Sequence, residues 1–139
     1  GRGRVPLYGS TGIIGFASKA SHNEALVLVA RVGTIGKIQY VDTPCCVSDN
    51  TLIINAGEWN RYIYYYLSIF DFGRITSGTT QPLITARSLR KVEIPFFELS
   101  KRKEIVKTLF VMEQKIKAEY AIQAQYGRYK DYFLRQMFI

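Results

Sequence analysis

Histidine and cysteine, which often build catalytic and metal sites, are nearly absent from this sequence. Its 139 residues include one histidine, His22, and two cysteines, Cys45 and Cys46. Adjacent cysteines rarely bridge each other, and no second pair exists to complete a metal cage. Paired carboxylates at useful spacing are also absent, and nothing in the sequence links an acid or a serine to His22. We therefore predict no catalytic residue, no metal site and no enzyme activity.

Phosphate-binding and membrane-spanning motifs are missing too. The glycine spacings at 9–15 and 33–36 differ from the dinucleotide fingerprint, and no Gly-Lys-Ser/Thr loop is present. No apolar run approaches the roughly 18 to 20 residues that a membrane helix needs. The sequence therefore predicts no cofactor bound by this chain and no membrane partner.

The N-terminus, Gly1-Arg2-Gly3-Arg4, has no apolar stretch behind it and does not begin with Met. We therefore expect no signal peptide, and expect either a fragment or a processed chain. The sparse cysteines favour a reducing, cytoplasmic compartment with two small buried hydrophobic residues.

Acidic residues are the minority among the charged ones. The sequence has nineteen Lys and Arg residues and eleven Asp and Glu residues, so the net charge is +8 and the isoelectric point is about 9.6. Such a surplus favours polyanionic partners, with nucleic acid ahead of membrane. Residues 1–98 carry ten basic and seven acidic side chains, and residues 99–139 carry nine and four. The basic charge therefore lies largely in the C-terminal segment.

Residues 1–98 have the pattern of short strands and turns. Apolar runs at 25–30 and 52–54 are brief and bounded by turn residues, which is typical of strands. The aromatic segment 59–70 fits a short helix, residues 87–92 fit a helical turn, and 92–94 fit a strand that ends at a proline.

The C-terminal segment, residues 99–139, has helical character. It has no proline and one glycine, and Ser100 is a suitable N-cap. Apolar residues step by 4, 3 and 4 in a heptad-type seam, which Phe133 and Met137 continue; the first four are Ile105, Leu109, Met112 and Ile116. One continuous helix would be about 55 Å long at 1.5 Å per residue, too long to lie wholly on a 98-residue domain. We therefore predict an α+β chain: a compact mixed α/β domain with short twisted strands, then one long coiled-coil-forming α-helix.

Three polar, glycine-containing loops lie next to the predicted strands, at 8–12, 30–37 and 76–83. Their backbone amides, hydroxyls and lysines are suited to phosphates, whereas Arg and Gln can recognise guanine and adenine edges in the major groove. The alternative is that these loops are ordinary hairpin turns with solvated polar tips.

Six strings, in order along the chain, resemble the conserved blocks of type I restriction-modification specificity (S) subunits. They are PLYGSTGIIGF at 6–16, VARVGTIGK at 29–37, SDN at 48–50, TSGTTQPLIT at 76–85, LRKVEIP at 89–95 and YKDYFLRQMF at 129–138. The resemblance implies one target recognition domain at 1–98. It also implies one conserved helix at 99–139, for spacing or dimerisation and for docking modification subunits.

In that family, two recognition domains each recognise one half of a bipartite DNA site, and two long helices pack antiparallel as a spacer. The resemblance implies double-stranded DNA and methyltransferase (modification) subunits as partners, with restriction subunits joining that core. S-adenosylmethionine, ATP and Mg would then belong to partner subunits. Because this chain has one recognition domain and one helix, it resembles either a half-subunit that forms a homodimer or part of a longer bacterial protein.

The candidate DNA contacts lie on the three polar loops and on the polar loop 18–23. They are Ser10, Thr11, Lys19, His22, Arg31, Thr34, Lys37, Thr79, Thr80 and Gln81. Each has an alternative: Arg31 could pair with Asp42 or Asp49, Lys37 could be merely solvated, and the others could lie on exposed or packed turns. The tyrosines of the 59–70 segment could stack on bases, although packing roles are favoured.

Two hypotheses of different classes remain at this stage. The first is a sequence-specific DNA recognition module without catalysis. The second is an assembly element, a silent or degenerate specificity cassette that dimerises through its helix and recognises no sequence. DNA binding with a sequence preference would separate the two, because nonspecific binding weakens with salt equally for every sequence.

Overall fold

The structure of the chain is a computed structural model that describes residues 3–78, 80–119 and 123–138, without the side chains of 123–126. It contains both strands and helices, which confirms the predicted α+β class. The chain divides into two compact units. The sheet unit comprises residues 1–60 and 71–92, and the helical unit comprises residues 61–70 and 93–139. The functional division at residue 98 stays a prediction.

Within the part of the chain that the structure describes, six strands form two three-stranded sheets in the sheet unit. They are β1 (Val5–Gly9), β2 (Gly12–Ala17), β3 (Leu26–Ala30), β4 (Ile38–Val41), β5 (Cys46–Val47) and β6 (Thr51–Ile54). The first sheet has the order β2-β1-β5, with β1 antiparallel to β2 and parallel to β5. The second has the order β4-β3-β6 and is antiparallel throughout.

The core of the sheet unit is built around β3. All five of its residues, Leu26–Ala30, are buried, because a central strand without polar side chains can pack on both faces. Leu26 and Leu28 form an apolar cluster with Val41 and Cys45. Burial raises the pKa of the Cys45 thiol, which keeps it protonated and unreactive. The prediction of two small buried cysteines is thus confirmed for Cys45 and wrong for Cys46, which is only partly buried.

Short helical segments complete the sheet unit. Two 3₁₀ turns lie at Gly57–Trp59 and Phe72–Arg74, and helix α2 spans Ala86–Arg90. The α2 N-terminus has a capping box in which Thr85 and Ser88 each bond the other's backbone N–H. The expected strand at 92–94 is wrong: these residues are irregular. Only four residues separate the end of α2 at Arg90 from Pro95, which has no N–H to donate to a ladder.

The predicted aromatic helix is confirmed as α1 (Asn60–Leu67). Tyr62 and Tyr65 are fully buried, so packing is the role that these rings take. The Tyr62 ring contacts Phe96 and Phe138 edge-on, each at 5.6 Å between centroids. Its hydroxyl donates to the Pro95 carbonyl.

The predicted long helix is confirmed over 21 residues as α3 (Leu99–Glu119), and a second helix, α4 (Gln123–Met137), follows it. α3 and α4 are therefore not two parts of one straight rod. Phe138 and Phe96, at opposite ends of the two helices, both contact Tyr62, so α4 runs antiparallel to α3. Because α4 runs back along α3, the apolar stripes of the two helices are buried against each other. Because α3 begins at Leu99, Ser100 is not its N-cap.

The predicted seam is covered within the helical unit. Ile105, Leu109 and Ile116 are buried, and Leu134 of α4 is buried with them. The remaining seam residues are half-buried: Met112, Phe133 and Met137. The apolar seam, whose spacing would suit a partner helix, is thus covered by other elements of the same chain. Dimerisation through the seam stays a prediction.

Candidate nucleic-acid interface

Arg31 is the backbone junction at which three loops of the sheet unit converge. Its N–H donates to the carbonyl of Asn50 at 3.2 Å, and its carbonyl accepts from the N–H of Ile84 at 2.9 Å. The first bond joins the β3–β4 loop to the turn before β6. The second joins it to the loop that precedes α2.

The two-residue β1–β2 turn is connected to these loops by side-chain hydrogen bonds. Gln39 Nε2 donates to the carbonyl of Gly9 at 2.9 Å and of Ser10 at 3.4 Å. Ser10 Oγ donates to the Asn50 carbonyl at 3.5 Å. Four loops therefore meet on one side of the sheet unit. We call this surface the Arg31 edge; it comprises residues 10–11, 31–37, 48–50 and 80–84.

The β3–β4 loop is held in a fixed shape. The N–H of Lys37 bonds the Thr34 carbonyl at 3.3 Å, and the N–H of Ala30 bonds the Lys37 carbonyl at 2.9 Å. Gly36 has φ +81°, and a Cβ there would lie 2.8 Å from the Phe72 ring. The loop thus presses against Phe72 while Thr34 and Lys37 stay exposed.

The loop before α2 closes as a small hairpin. Ser77 and Leu83 exchange two backbone bonds of 2.9 Å. Gly78 has φ +87°, and a Cβ there would lie 2.9 Å from the Gln81 carbonyl, so this turn needs glycine. Thr80 and Gln81 are exposed at its tip. The predicted contact Thr79 lies outside the described residues.

Most of the described candidates belong to the four loops that these bonds connect: Ser10, Thr11, Arg31, Thr34, Lys37, Thr80 and Gln81. Arg31 is half-buried. Among the residues that the structure describes, no ion pair joins it to Asp42 or Asp49. The role of this guanidinium as a DNA contact stays a prediction.

Lys19 and His22 lie elsewhere. His22 exchanges backbone bonds of 3.0 and 2.9 Å with Cys45, and Cys46 Sγ donates to the Lys19 carbonyl at 3.2 Å. In the β1–β2 ladder Val5 pairs with Ala17, at the far end from the turn. At about 3.3 Å per residue, β1 sets this end roughly 13 Å from the β1–β2 turn. Lys19 and His22 therefore stay separate predictions.

Two residues that support the Arg31 edge, Gln39 and Asn50, were not among the candidate contacts predicted from the sequence. Asn50 belongs to the SDN string, but it supports the edge through its backbone carbonyl. Any residue type has such a carbonyl, so the sequence could not reveal this role. Gln39 is the one polar side chain in an otherwise apolar and aromatic β4. This exception in the strand pattern could have identified Gln39 as a residue with a specific role. No helix within residues 3–78, 80–119 and 123–138 is long and apolar enough to span a membrane.

Comparison with known proteins finds one family and several related structures. The model of the type I restriction modification DNA specificity domain matches residues 2–125. A Haemophilus influenzae protein described as a type I restriction enzyme specificity subunit, S.HindORF215P, is 28% identical over 113 residues. The match covers 77% of this chain and 29% of that relative, so the chain spans less than a third of it.

Two solved structures share the fold. The S subunit of a type I restriction-modification system from M. genitalium has a TM-score of 0.67 at 21% identity, over 84% of this chain and 33% of that one. A structure described for complex assembly and conformational transition of the type I restriction-modification system has the same score and identity, over 99% and 39%. Since the family model matches most of the sequence, this chain belongs to the type I restriction-modification DNA specificity domain family.

Proposed function

We propose that the chain recognises one half of a bipartite DNA target for a type I restriction-modification system. The observation that carries the proposal is the convergence of four polar loops on the Arg31 edge. Loops held by backbone bonds that carry Arg, Lys, Gln and hydroxyl side chains are suited to base edges and phosphates. The net charge of +8 supports a polyanionic partner.

Different side chains on this edge have different chemistry. Arg31 can form two hydrogen bonds with guanine, and Gln81 can do the same with adenine. Lys37 and the hydroxyls of Ser10, Thr11, Thr34 and Thr80 are suited to phosphate oxygens, which fix the register of the protein on the duplex. The proposal therefore separates residues that select a sequence from residues that hold DNA of any sequence.

The proposal also includes partner subunits. Methyl transfer and cleavage would be performed by modification and restriction subunits, with S-adenosylmethionine, ATP and Mg bound there and not by this chain. The helical unit would position those subunits, either within a longer specificity subunit or as a homodimer of half-subunits. Membership of the family and the related assembly structure support this part of the proposal.

Selection from a random duplex pool at about 0.15 M salt, with sequencing of the bound fraction, tests the function. We expect one enriched motif. Two spaced copies in inverted orientation would indicate that two chains act together, whereas a single half-site would indicate one recognition domain.

Binding that is equal for every sequence and fades uniformly with salt would overturn the recognition function. That result would leave the assembly element, which dimerises or docks partners without recognising a sequence. The same selection repeated with modification subunits present decides whether recognition needs the assembled complex.

A further inference from the structure

Two large apolar side chains are exposed beside the β1–β2 turn. Ile13 is 51% exposed and Ile14 is 63% exposed, although they are neighbours in one strand. In a regular strand, successive side chains point to opposite faces. β2 is also the outer strand of its sheet, and no strand among the described residues pairs with its far side.

A β-bulge explains the exposure of both residues. Leu7 pairs with Gly15 and Tyr8 pairs with Ile13, so Ile14 is the extra residue that has no partner across the ladder. Bulges turn a side chain away from its regular direction and are frequent near functional sites. The bulge lies between the Arg31 edge and the rest of β2, because Gly12 directly follows the Ser10–Thr11 turn.

Ile14 is held in place despite its exposure. Its side chain covers Gly9 so closely that a Cβ on Gly9 would lie 2.8 Å from Ile14 Cγ2. Gly9 is buried, and its carbonyl is fixed by Gln39 Nε2 at 2.9 Å. An apolar side chain is thus presented on a rigid support next to the polar turn, and a fixed position lowers the ordering cost of a contact.

We propose that Ile14, with Ile13 beside it, contacts the 5-methyl group of a thymine in the major groove of the target. This inference rests on the proposed function. The thymine methyl is the apolar group among the base edges of the major groove, which is wide enough to admit a two-stranded β-ribbon. The exposed Lys37 and the hydroxyls of Ser10 and Thr11 lie on the adjoining edge, where charge complementarity favours DNA.

Replacing thymine by deoxyuridine removes the methyl group and keeps every hydrogen-bonding atom. Each thymine of the selected site is replaced in turn, and the affinity of the whole chain is measured for each duplex. At one position, or two adjacent ones, we expect a loss of about fourfold, the value for one methyl moved from water into an apolar contact. At the other thymines we expect no change.

Variants identify the side chain responsible. In I14A the deoxyuridine substitution should no longer matter at the sensitive position, and in I13A it should matter less. The matched control is F16A, because Phe16 is equally exposed at 62% but pairs with Pro6, away from the turn. The control should keep the full sensitivity to deoxyuridine. The thermal unfolding of each variant shows whether its fold is kept.

The outcomes separate this inference from the proposed function. A selected motif without thymine on either strand, or one whose thymines all tolerate deoxyuridine, would overturn the methyl contact and leave DNA recognition intact. Sensitivity that persists unchanged in I14A and I13A would place the methyl contact on another residue and overturn the assignment. No enriched motif would overturn the proposed function, and this inference with it.

Discussion

Lys130 Nζ lies 3.3 Å from Oε2 of Glu113, and this ion pair joins α4 to α3 inside the helical unit. The Glu113 side chain is only 6% exposed. It also accepts a hydrogen bond of 3.2 Å from the Tyr65 hydroxyl, and Arg61 Nη1 lies 3.9 Å away. A buried carboxylate is tolerated only when it is paired in this way. The network therefore fixes how α1, α3 and α4 pack, in addition to their apolar contacts.

The first prediction concerns the loss of this ion pair. In Lys130→Met the apolar stem is kept, but Glu113 loses its nearest cation while remaining buried. We expect the free energy of unfolding to fall by about 2 kcal/mol, less than for an isolated buried pair because Arg61 and Tyr65 remain. Urea unfolding followed by circular dichroism measures the change.

A surface ion pair in the same helix provides the control. Arg135 Nε lies 3.0 Å from Asp131 Oδ2, but both side chains are at least half exposed. Arg135→Met should therefore change the stability by less than about 0.5 kcal/mol. Equal effects of the two variants would contradict a special role for the Glu113 network.

The second prediction concerns alkaline pH. Burial, and then the charge of Glu113, raise the pKa of the Tyr65 hydroxyl above its ordinary value of 10.0. The folded state thus holds this proton more tightly than the unfolded state does. The stability that results is fully present below pH 10 and is lost as the pH rises through the folded-state pKa. From Tyr65 alone, the loss can reach about 1.4 kcal/mol per pH unit.

Tyr65→Phe isolates this contribution. The variant should be less stable by about 1 to 2 kcal/mol at neutral pH, because Glu113 loses a donor. Its stability should then fall less steeply above pH 10, so that the two curves converge. Tyr132→Phe is the control, because Tyr132 is 59% exposed. Parallel curves for the wild type and Tyr65→Phe would show that this hydroxyl does not carry the pH dependence.

Much of the fold could be predicted because local patterns determine it. The buried strand β3, the strand β6 and the aromatic helix α1 follow from short apolar runs between turn residues. The polar loops of the Arg31 edge could also be located, since glycine, hydroxyl and charged residues cluster there. The convergence of these loops could not, because it depends on backbone bonds from Arg31 to Asn50 and to Ile84, which any residue types could make.

The helical segment shows the limit of periodicity. The seam from Ile105 to Ile116 is buried as its apolar spacing predicts. The spacing alone does not predict which element packs against the seam. The cover comes from α4, whose Leu134 lies far along the same segment. In a similar way, the pairing of His22 with Cys45 joins residues 23 apart in sequence, and no local pattern predicts such a pairing.

The third prediction concerns the shape of the β3–β4 loop. Gly36→Ala combines a left-handed backbone with a clash, since its Cβ would lie 2.8 Å from Phe72. We expect a loss of about 2 kcal/mol or more in the free energy of unfolding. Gly33→Ala is the control: Gly33 has φ +70°, but no atom of the described residues lies within 4 Å of its Cβ position, so the loss should be about 1 kcal/mol. Equal losses would mean that contact with Phe72 adds nothing.

The fourth prediction separates recognition of bases from binding of phosphates. Arg31→Ala and Gln81→Ala should each reduce discrimination between target and off-target duplexes by about 1 to 3 kcal/mol. Arg31 joins the neighbouring loops through its backbone alone in the bonds described above, so alanine leaves those bonds available. A loss of discrimination in this variant therefore reports on the guanidinium and not on a collapsed edge.

Lys37→Ala should act differently, because a lysine on a phosphate contributes to every sequence. We expect weaker binding to all duplexes alike, and a salt dependence whose slope is reduced by about one. Lys107→Ala, at an exposed position on α3, is the control for a general loss of positive charge. If Lys37→Ala and Lys107→Ala weaken binding equally, Lys37 acts only through net charge. If Arg31→Ala and Gln81→Ala leave the sequence preference unchanged, these two side chains do not recognise bases, and other side chains would have to account for any specificity.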